Sequence, residues 1–146
     1  RPAALDQRKI HMLAREHLIN FKYAAPVCIH TPILNGLDGK KMSSSQGNFI
    51  SVADSEDDIR KKCQKAFCPM EIPENPILQI FQHHIFPRLP QVTVNRPEKF
   101  GGDRSFASYP EIEQAYQKGE IHPLDLKKTC GECLIEVLRP VREYIQ

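Results

Sequence analysis

The chain has 146 residues, 40% of them hydrophobic and 26% charged, and a formal net charge of +2. This suits one compact domain or two small lobes, and the charge is too mild to single out a polyanionic partner. No apolar stretch approaches the ~20 residues of a membrane helix and no secretory signal opens the chain, so a cytoplasmic protein without membrane contact is expected.

The chain enters a helical pattern almost at once, with no strand or turn expected before it. Residues 6–19 read as a helix capped by Asp6, with Ile10, Leu13, Ala14 and Leu18 on one face. A full apolar stripe needs a surface to lie on, so the numbering is expected to begin inside a larger protein. "PVCIHTPIL" (26–34) is nearly continuous in apolar residues and reads as a buried strand of a parallel sheet covered on both faces. A loop follows over 36–48. "ISVADSEDDIRKKCQKAF" then holds a strand end and a helix whose acidic first turn suits the helix dipole. Residues 1–70 carry 11 Lys and Arg against 7 Asp and Glu, whereas residues 71–146 carry 9 against 11. The excess includes the run Arg60, Lys61, Lys62 and Lys65, which taken alone is a solvated helix face.

"CPMEIPENP" (68–76) is the best domain boundary in the chain. Beyond it Asn75 caps a helix with Pro76 at its first position, and Ile77, Ile80, Phe81, His84 and Ile85 form its stripe. Residues 91–94 and 104–108 flank "NRPEKFGGD" and can pair as a hairpin. Ser108 and Glu111 form a capping-box pattern for a helix over 109–118, which Gly119 ends. A long last helix opens at His122-Pro123, and Pro140 should bend it. The five cysteines include Cys63-x4-Cys68 and Cys130-x2-Cys133, a conceivable zinc set. Cys63 falls on the apolar face of a helix with Ile59, Ala66 and Phe67, and Cys130 and Cys133 fall inside another helical pattern, so reduced, buried thiols are expected and no structural metal.

The least structured stretch is the richest in chemistry. "GLDGKKMSSSQGNFI" (36–50) places Lys40, Lys41, Met42 and three serines between glycine turns. It is too polar to pack, does not alternate and starts no helix. Such a segment is either a solvated loop or a phosphate-binding one.

"KMSSS" (41–45) resembles the second signature motif of class I aminoacyl-tRNA synthetases, usually Lys-Met-Ser-Lys-Ser. "DQRKIHMLARE", "VCIHTPILNGLDGKKMSSSQGNFISV", "NPIL", "RPEKFGGD" and "HPLDLK" appear in order around it. Together they resemble the archaeal and eukaryotic tyrosyl-tRNA synthetases over nearly the whole chain. The resemblance implies the C-terminal half of such an enzyme. Residues 1–68 would be the α/β end of a Rossmann-like catalytic domain, a strand plus the KMSSS loop. Residues 69–146 would be a mainly α-helical anticodon-binding domain with a small β-hairpin. The family's first signature, of the His-Ile-Gly-His type, is absent.

The resemblance implies that ATP, accompanied by Mg2+, meets Lys41, Met42, Ser43 and Ser44, and that Lys41, Ser43, Ser44 and Ser45 act in catalysis. Physically, tyrosine activation builds negative charge on departing pyrophosphate, which positioned donors stabilise. Lys41 offers a point charge, the serines offer neutral donors, and Met42 an apolar foothold. Ser44 stands where many class I enzymes carry a second lysine, and Gln46 where relatives of this branch often carry one. Lys40 or a cation are the two candidates to compensate. Gln7 would lie beside the tyrosine substrate, although "RPAAL" before it departs from the expected glycine-containing turn. Phe100, His122 and Asp125 would read the first anticodon base. The partners implied are tRNA-Tyr, tyrosine and ATP, with a homodimer formed through the N-terminal half. A tryptophan-specific relative and a stand-alone tRNA-binding module are the alternatives.

Overall fold

A computed structural model describes residues 2–145. By its internal contacts the chain divides into two compact units, Arg1–Leu34 and Asn35–Gln146.

In the first unit, β1 (Pro2–Ala4) pairs in parallel with β2 (Ile29–Thr31), in the register Pro2↔Ile29 and Ala4↔Thr31. A 3-10 turn over Leu5–Gln7 leads into α1 (Arg8–His17), and a second over Leu18–Phe21 closes at Lys22 with φ +61°. Three expectations are corrected here. A strand does precede the helix. Asp6 is not its cap, because Gln7 holds that place and no side chain caps it. The run 26–34 contributes only three strand residues, since Pro26 and Pro32 lack the N–H that a ladder needs on either side. Nor is that strand covered on both faces by the described residues of this unit: Ile29 is 62% exposed. What α1 turns toward β2 is polar. His11 Nδ1 lies 3.1 Å from His30 Nε2, and the Arg15 guanidinium donates to the Pro26 carbonyl at 3.1 Å. Ile10 and Leu13, on the predicted stripe, remain exposed.

The second unit is mostly helical: α2 (Glu56–Lys65), α3 (Pro76–Ile80) extended by a π-helical turn to Ile85, α4 (Tyr109–Gln117) and α5 (Pro123–Ile145). An antiparallel hairpin joins β3 (Val92–Val94) to β4 (Arg104–Phe106), as expected from the two short runs. Every element contributes to one core. Ile59 and Cys63 of α2, Ile77 and Phe81 around α3, Val92, Val94 and Phe106 of the hairpin, Tyr116 of α4, and Leu126 and Cys130 of α5 are all buried there. Burying such side chains contributes about 1.5–3 kcal/mol each against exposure. Residues 50–52 form no strand, contrary to expectation; the Asp54 carboxylate accepts from the Ser51 N–H at 2.7 Å and holds them in a turn.

Local chemistry explains the helix starts. Ser55 Oγ accepts from the Asp58 N–H at 3.1 Å and begins α2. Asn75 is fully buried; its Oδ1 accepts from the Ile77 and Leu78 N–H groups while its Nδ2 donates to the Pro69 carbonyl at 2.7 Å. The Tyr116 hydroxyl donates toward the Cys68 and Pro69 carbonyls, so the proline-rich break is tied down from both sides. The box at Ser108 forms only in part. Glu111 reaches back to the Ala107 N–H and accepts from Ser108 Oγ, but Ser108 caps no backbone group. Phe67, placed by the sequence on the buried face of α2, is 46% exposed, because the helix ends at Lys65. His84 is likewise exposed at the edge of its stripe. α5 runs on through Pro140 to Ile145, with the Arg142 guanidinium donating to the Ile135 carbonyl at 3.4 Å.

Candidate functional site

The serine loop is organised by a residue that sequence reasoning missed. Asn48 is 8% exposed and sits in the ring of the loop. Its Oδ1 accepts from the Ser43 N–H at 2.8 Å; its Nδ2 donates to Asp38 Oδ1 at 2.8 Å and to the Lys41 carbonyl at 3.2 Å. The Leu37 N–H donates to the Asn48 carbonyl at 2.8 Å. Gly36 makes room for this arrangement, since a Cβ there would stand 2.2 Å from Asn48 Nδ2. The only signal in the sequence is an asparagine closing a glycine-rich segment, a residue suited to bonding nearby backbone. The base of the loop is anchored further by the Asn35 N–H donating to Gln79 Oε1 and the Phe67 N–H donating to the Leu37 carbonyl.

The tip is open. Lys41, Met42, Ser44 and Ser45 are exposed, and Ser43 is half-buried. Ser43 Oγ and Ser45 Oγ lie 2.8 Å apart. Among the described residues Lys41 Nζ and Ser44 Oγ have no partner. Bonds from Asn48 and then from the Lys40 N–H hold the Asp38 carboxyl below its usual range. A cation and three hydroxyls are thus presented on a backbone fixed from below, a set of donors suited to a polyphosphate. Asp38 is the one carboxylate of the loop, and the bonds from Asn48 and Lys40 both fall on its Oδ1.

Gln7 lies in the first unit, exposed, at the start of α1 with no cap bond from its side chain. Its amide is therefore available to a ligand.

The second constellation is a groove. Phe100, His122 and Asp125 line one open cavity of about 930 Å3, with Met70, Arg96 and Leu124. Phe100 ends a 3-10 turn over Glu98–Phe100 and is 62% exposed, so it is not a hairpin core residue. Lys99 Nζ stands 4.9 Å from its ring centroid. His122 opens α5: its Nδ1 accepts from the Leu124 N–H at 3.2 Å, which leaves the ring proton on Nε2, free to donate. Asp125 is half-buried in the first turn, and its carboxylate has no hydrogen-bond partner among the described residues. Arg96 joins the two rims. Its Nε donates to the Gly102 carbonyl at 3.0 Å and its Nη1 to the Glu120 carbonyl at 2.5 Å, while Arg104 pairs with the Glu120 carboxylate. An aromatic face, a ring N–H donor and an unpaired carboxylate in one groove match a flipped-out base.

The cysteines are distributed as thiols. Cys63 and Cys130 are buried, and Cys68 Sγ lies 3.4 Å from the Tyr116 hydroxyl. Burial, with Glu136 and Glu132 nearby, pushes the Cys133 thiol up to about 11. Among the described residues no three His, Cys, Asp or Glu side chains converge as metal ligands, and no helix is long and apolar enough to cross a membrane.

Residues 5–139 match the family described as tRNA synthetases class I (W and Y). The chain belongs to that family. Within it, the tyrosine--tRNA ligase of Methanospirillum hungatei JF-1 is 70% identical over 97% of this chain and 45% of the relative; that of Methanoculleus marisnigri is 65% identical over the same shares. The crystal structure of tyrosyl-tRNA synthetase from Archaeoglobus fulgidus complexed with L-tyrosine superposes with TM-score 0.91 at 49% identity, covering 99% of this chain and 46% of that one. The Aeropyrum pernix tyrosyl-tRNA synthetase gives 0.81 at 43% identity, over 97% of this chain and 42% of its own. The chain thus spans less than half the length of the relatives it matches.

Proposed function

We propose that this chain supplies the nucleotide loop and the anticodon-reading end of an enzyme that activates tyrosine with ATP and transfers it to tRNA-Tyr. The observation that carries the proposal is the convergence of Phe100, His122 and Asp125 on one groove. Kinship with tyrosine--tRNA ligases supports it. In this reading Lys41, Ser43, Ser44 and Ser45, with Met42 beside them, hold the phosphates of ATP as charge grows on pyrophosphate. Gln7 contacts tyrosine near its amino-acid end. The functional division falls at residue 68, between a catalytic portion and an anticodon-binding portion, although α2 before it and α5 after it share a core. The exposed Ile10, Leu13 and Ile29 fit a surface that the rest of the enzyme covers. The complete enzyme acts in the cytoplasm as a homodimer joined through its N-terminal half.

Charging tests the reading. The complete protein is expected to attach tyrosine, and not tryptophan, to a tRNA-Tyr transcript, and residues 1–146 alone are expected to give no tyrosine-dependent pyrophosphate exchange. Charging with tryptophan would transfer the assignment to the other branch of the family, and robust exchange by residues 1–146 would overturn the division of labour.

A further inference from the structure

Lys62, in the basic run of α2, reaches back toward the serine loop. Its Nζ donates to Asp54 Oδ2 at 2.6 Å and stands 5.5 Å from the Phe49 ring centroid. Asp54 Oδ2 also accepts from the Ser51 N–H, at 2.7 Å. One ammonium group therefore holds both ends of the segment 49–54, by a cation–π contact at one end and a charge-assisted hydrogen bond at the other. That segment is the exit of the loop, since Phe49 follows Asn48 directly.

Asn48 ties the loop to itself, which does not settle where the tied loop stands against the rest of its unit. The entry is fixed by backbone groups: the Asn35 N–H donates to Gln79 Oε1, and the Phe67 N–H to the Leu37 carbonyl. Among the described residues the exit makes no backbone bond to α2; the bonds of Ser51, Ala53 and Asp54 stay within their own turn, apart from the one from Lys62. Ile50 packs against the core, but an apolar contact carries no direction. The directed link is Lys62. The helix that carries it is firmly seated, with Ile59 and Cys63 fully buried before and after it. The Asp54 side chain is only 15% exposed, so the pair is shielded in a way that an open surface ion pair is not.

We propose that Lys62, through Asp54 and Phe49, is a positioning residue for the nucleotide loop, setting where Lys41 and the serines meet the phosphates of ATP. The inference rests on the nucleotide reading of the loop given above and adds to it a residue outside the motif. Lys62 touches no reacting group; its effect passes through the loop backbone. Removing the ammonium group should therefore slow activation and spare tyrosine binding, because Gln7 belongs to the other unit.

The test is tyrosine-dependent pyrophosphate exchange by the complete protein carrying Lys62→Met, which keeps most of the stem and removes the charge. The rate at saturating substrates is expected to fall about tenfold, with KM for tyrosine within about twofold of wild type. Lys62→Arg keeps a cation near Phe49 and Asp54 and is expected to stay within about threefold of the wild-type rate. Hydrogen exchange at the Ser51 amide should accelerate about tenfold in Lys62→Met, while the Cys63 amide within α2 should not change. A double variant decides whether Lys62 acts through the loop. In a Lys41→Ala background Lys62→Met should cost no more than about threefold, because the cation that it positions is already gone. The same tenfold loss in both backgrounds overturns the proposal, since Lys62 would then act independently of Lys41. So does a wild-type rate in Lys62→Met, or a loss that Lys62→Arg shares in full. If Lys62→Met fails to fold, Asp54→Asn must lower the rate at unchanged tyrosine KM, and a wild-type rate there overturns the proposal. Absence of exchange by the wild-type protein would instead overturn the nucleotide reading, and the Ser51 amide would still show whether Lys62 holds the exit of the loop.

Discussion

Asn48 offers the most direct test of how the serine loop works. Replacing it with alanine removes the acceptor of the Ser43 N–H at 2.8 Å and the donor to the Lys41 carbonyl at 3.2 Å. It also releases Asp38. At about 1 kcal/mol for each of the two backbone bonds, the organised loop loses about 2 kcal/mol. The core is untouched, because Asn48 packs within the loop and not among the buried apolar side chains. If the donor array must be in place when charge develops on the leaving phosphates, the cost falls on the transition state. About 2 kcal/mol is then roughly a 30-fold lower rate of tyrosine activation. The assay is tyrosine-dependent pyrophosphate exchange by the complete protein carrying Asn48→Ala, with tyrosine affinity and melting temperature measured beside it. The expected outcome is a fall in rate with tyrosine affinity nearly unchanged. Hydrogen exchange at Ser43 should accelerate in parallel. Faster exchange at Ser43 with an unchanged activation rate would refute the reasoning: the loop would then be ordered by nucleotide alone, and the Asn48 bonds would be irrelevant to it.

Lys41→Ala should lower the activation rate by tenfold or more with little change in tyrosine affinity, as read by the same exchange assay, because the phosphate charge it meets grows toward the transition state. Asp125→Arg should reduce or reverse a preference for guanine over cytosine at the first anticodon base, a preference of about 1–3 kcal/mol, as read by charging two transcripts that differ only there. On the proposed reading the carboxylate would accept from the guanine N1–H and N2–H2, whereas arginine would donate to cytosine. Phe100→Ala should weaken charging of both transcripts, because stacking on the ring tolerates any base. Asn75→Ala should cost about 2–4 kcal/mol in urea unfolding, since it removes a helix cap and leaves buried groups unpaired. The Cys133 thiol has a folded pKa raised to about 11 from 9.0, so the folded state keeps a proton that the unfolded chain releases. Its contribution to stability is full below pH 9 and is lost as pH rises toward 11, and Cys133→Ala should flatten the alkaline decline of the urea midpoint in that window.

The sequence was legible wherever a residue type dictates its own local geometry. Asn75-Pro76 began a helix, Gly119 ended one with φ +71°, and the acidic residues after Ser55 lay in the first turn of α2. It was illegible where a neighbour decided. Asp6 suited a cap, but the chain arrives from β1 through a 3-10 turn, so Gln7 takes that place. Nine residues that read as a strand became three between two prolines. The fate of a charge could not be read at all without partners. Arg60 and Lys61 are adjacent and chemically alike in sequence, yet one is clasped by three acids and the other makes no ion pair.

The same distinction separates the two sites. Lys41, Ser44 and Asp125 stand out in the fold because nothing among the described residues satisfies them, whereas Asn48 and Arg96 stand out because they satisfy so many groups around them. Unsatisfied polar groups on a braced backbone are what a ligand completes. In the loop the bracing is a single asparagine inside a turn; in the groove it is an arginine spanning from the Phe100 turn to the residue two before His122. Loosening either brace should therefore impair a site while leaving Lys41, Ser44 and Asp125 themselves in place. Arg96→Met is expected to erode guanine-over-cytosine discrimination, as Asp125→Arg does, even though the Arg96 guanidinium donates to protein carbonyls. Full discrimination in that variant would mean that the His122 cap and the hairpin hold the two rims in place without it.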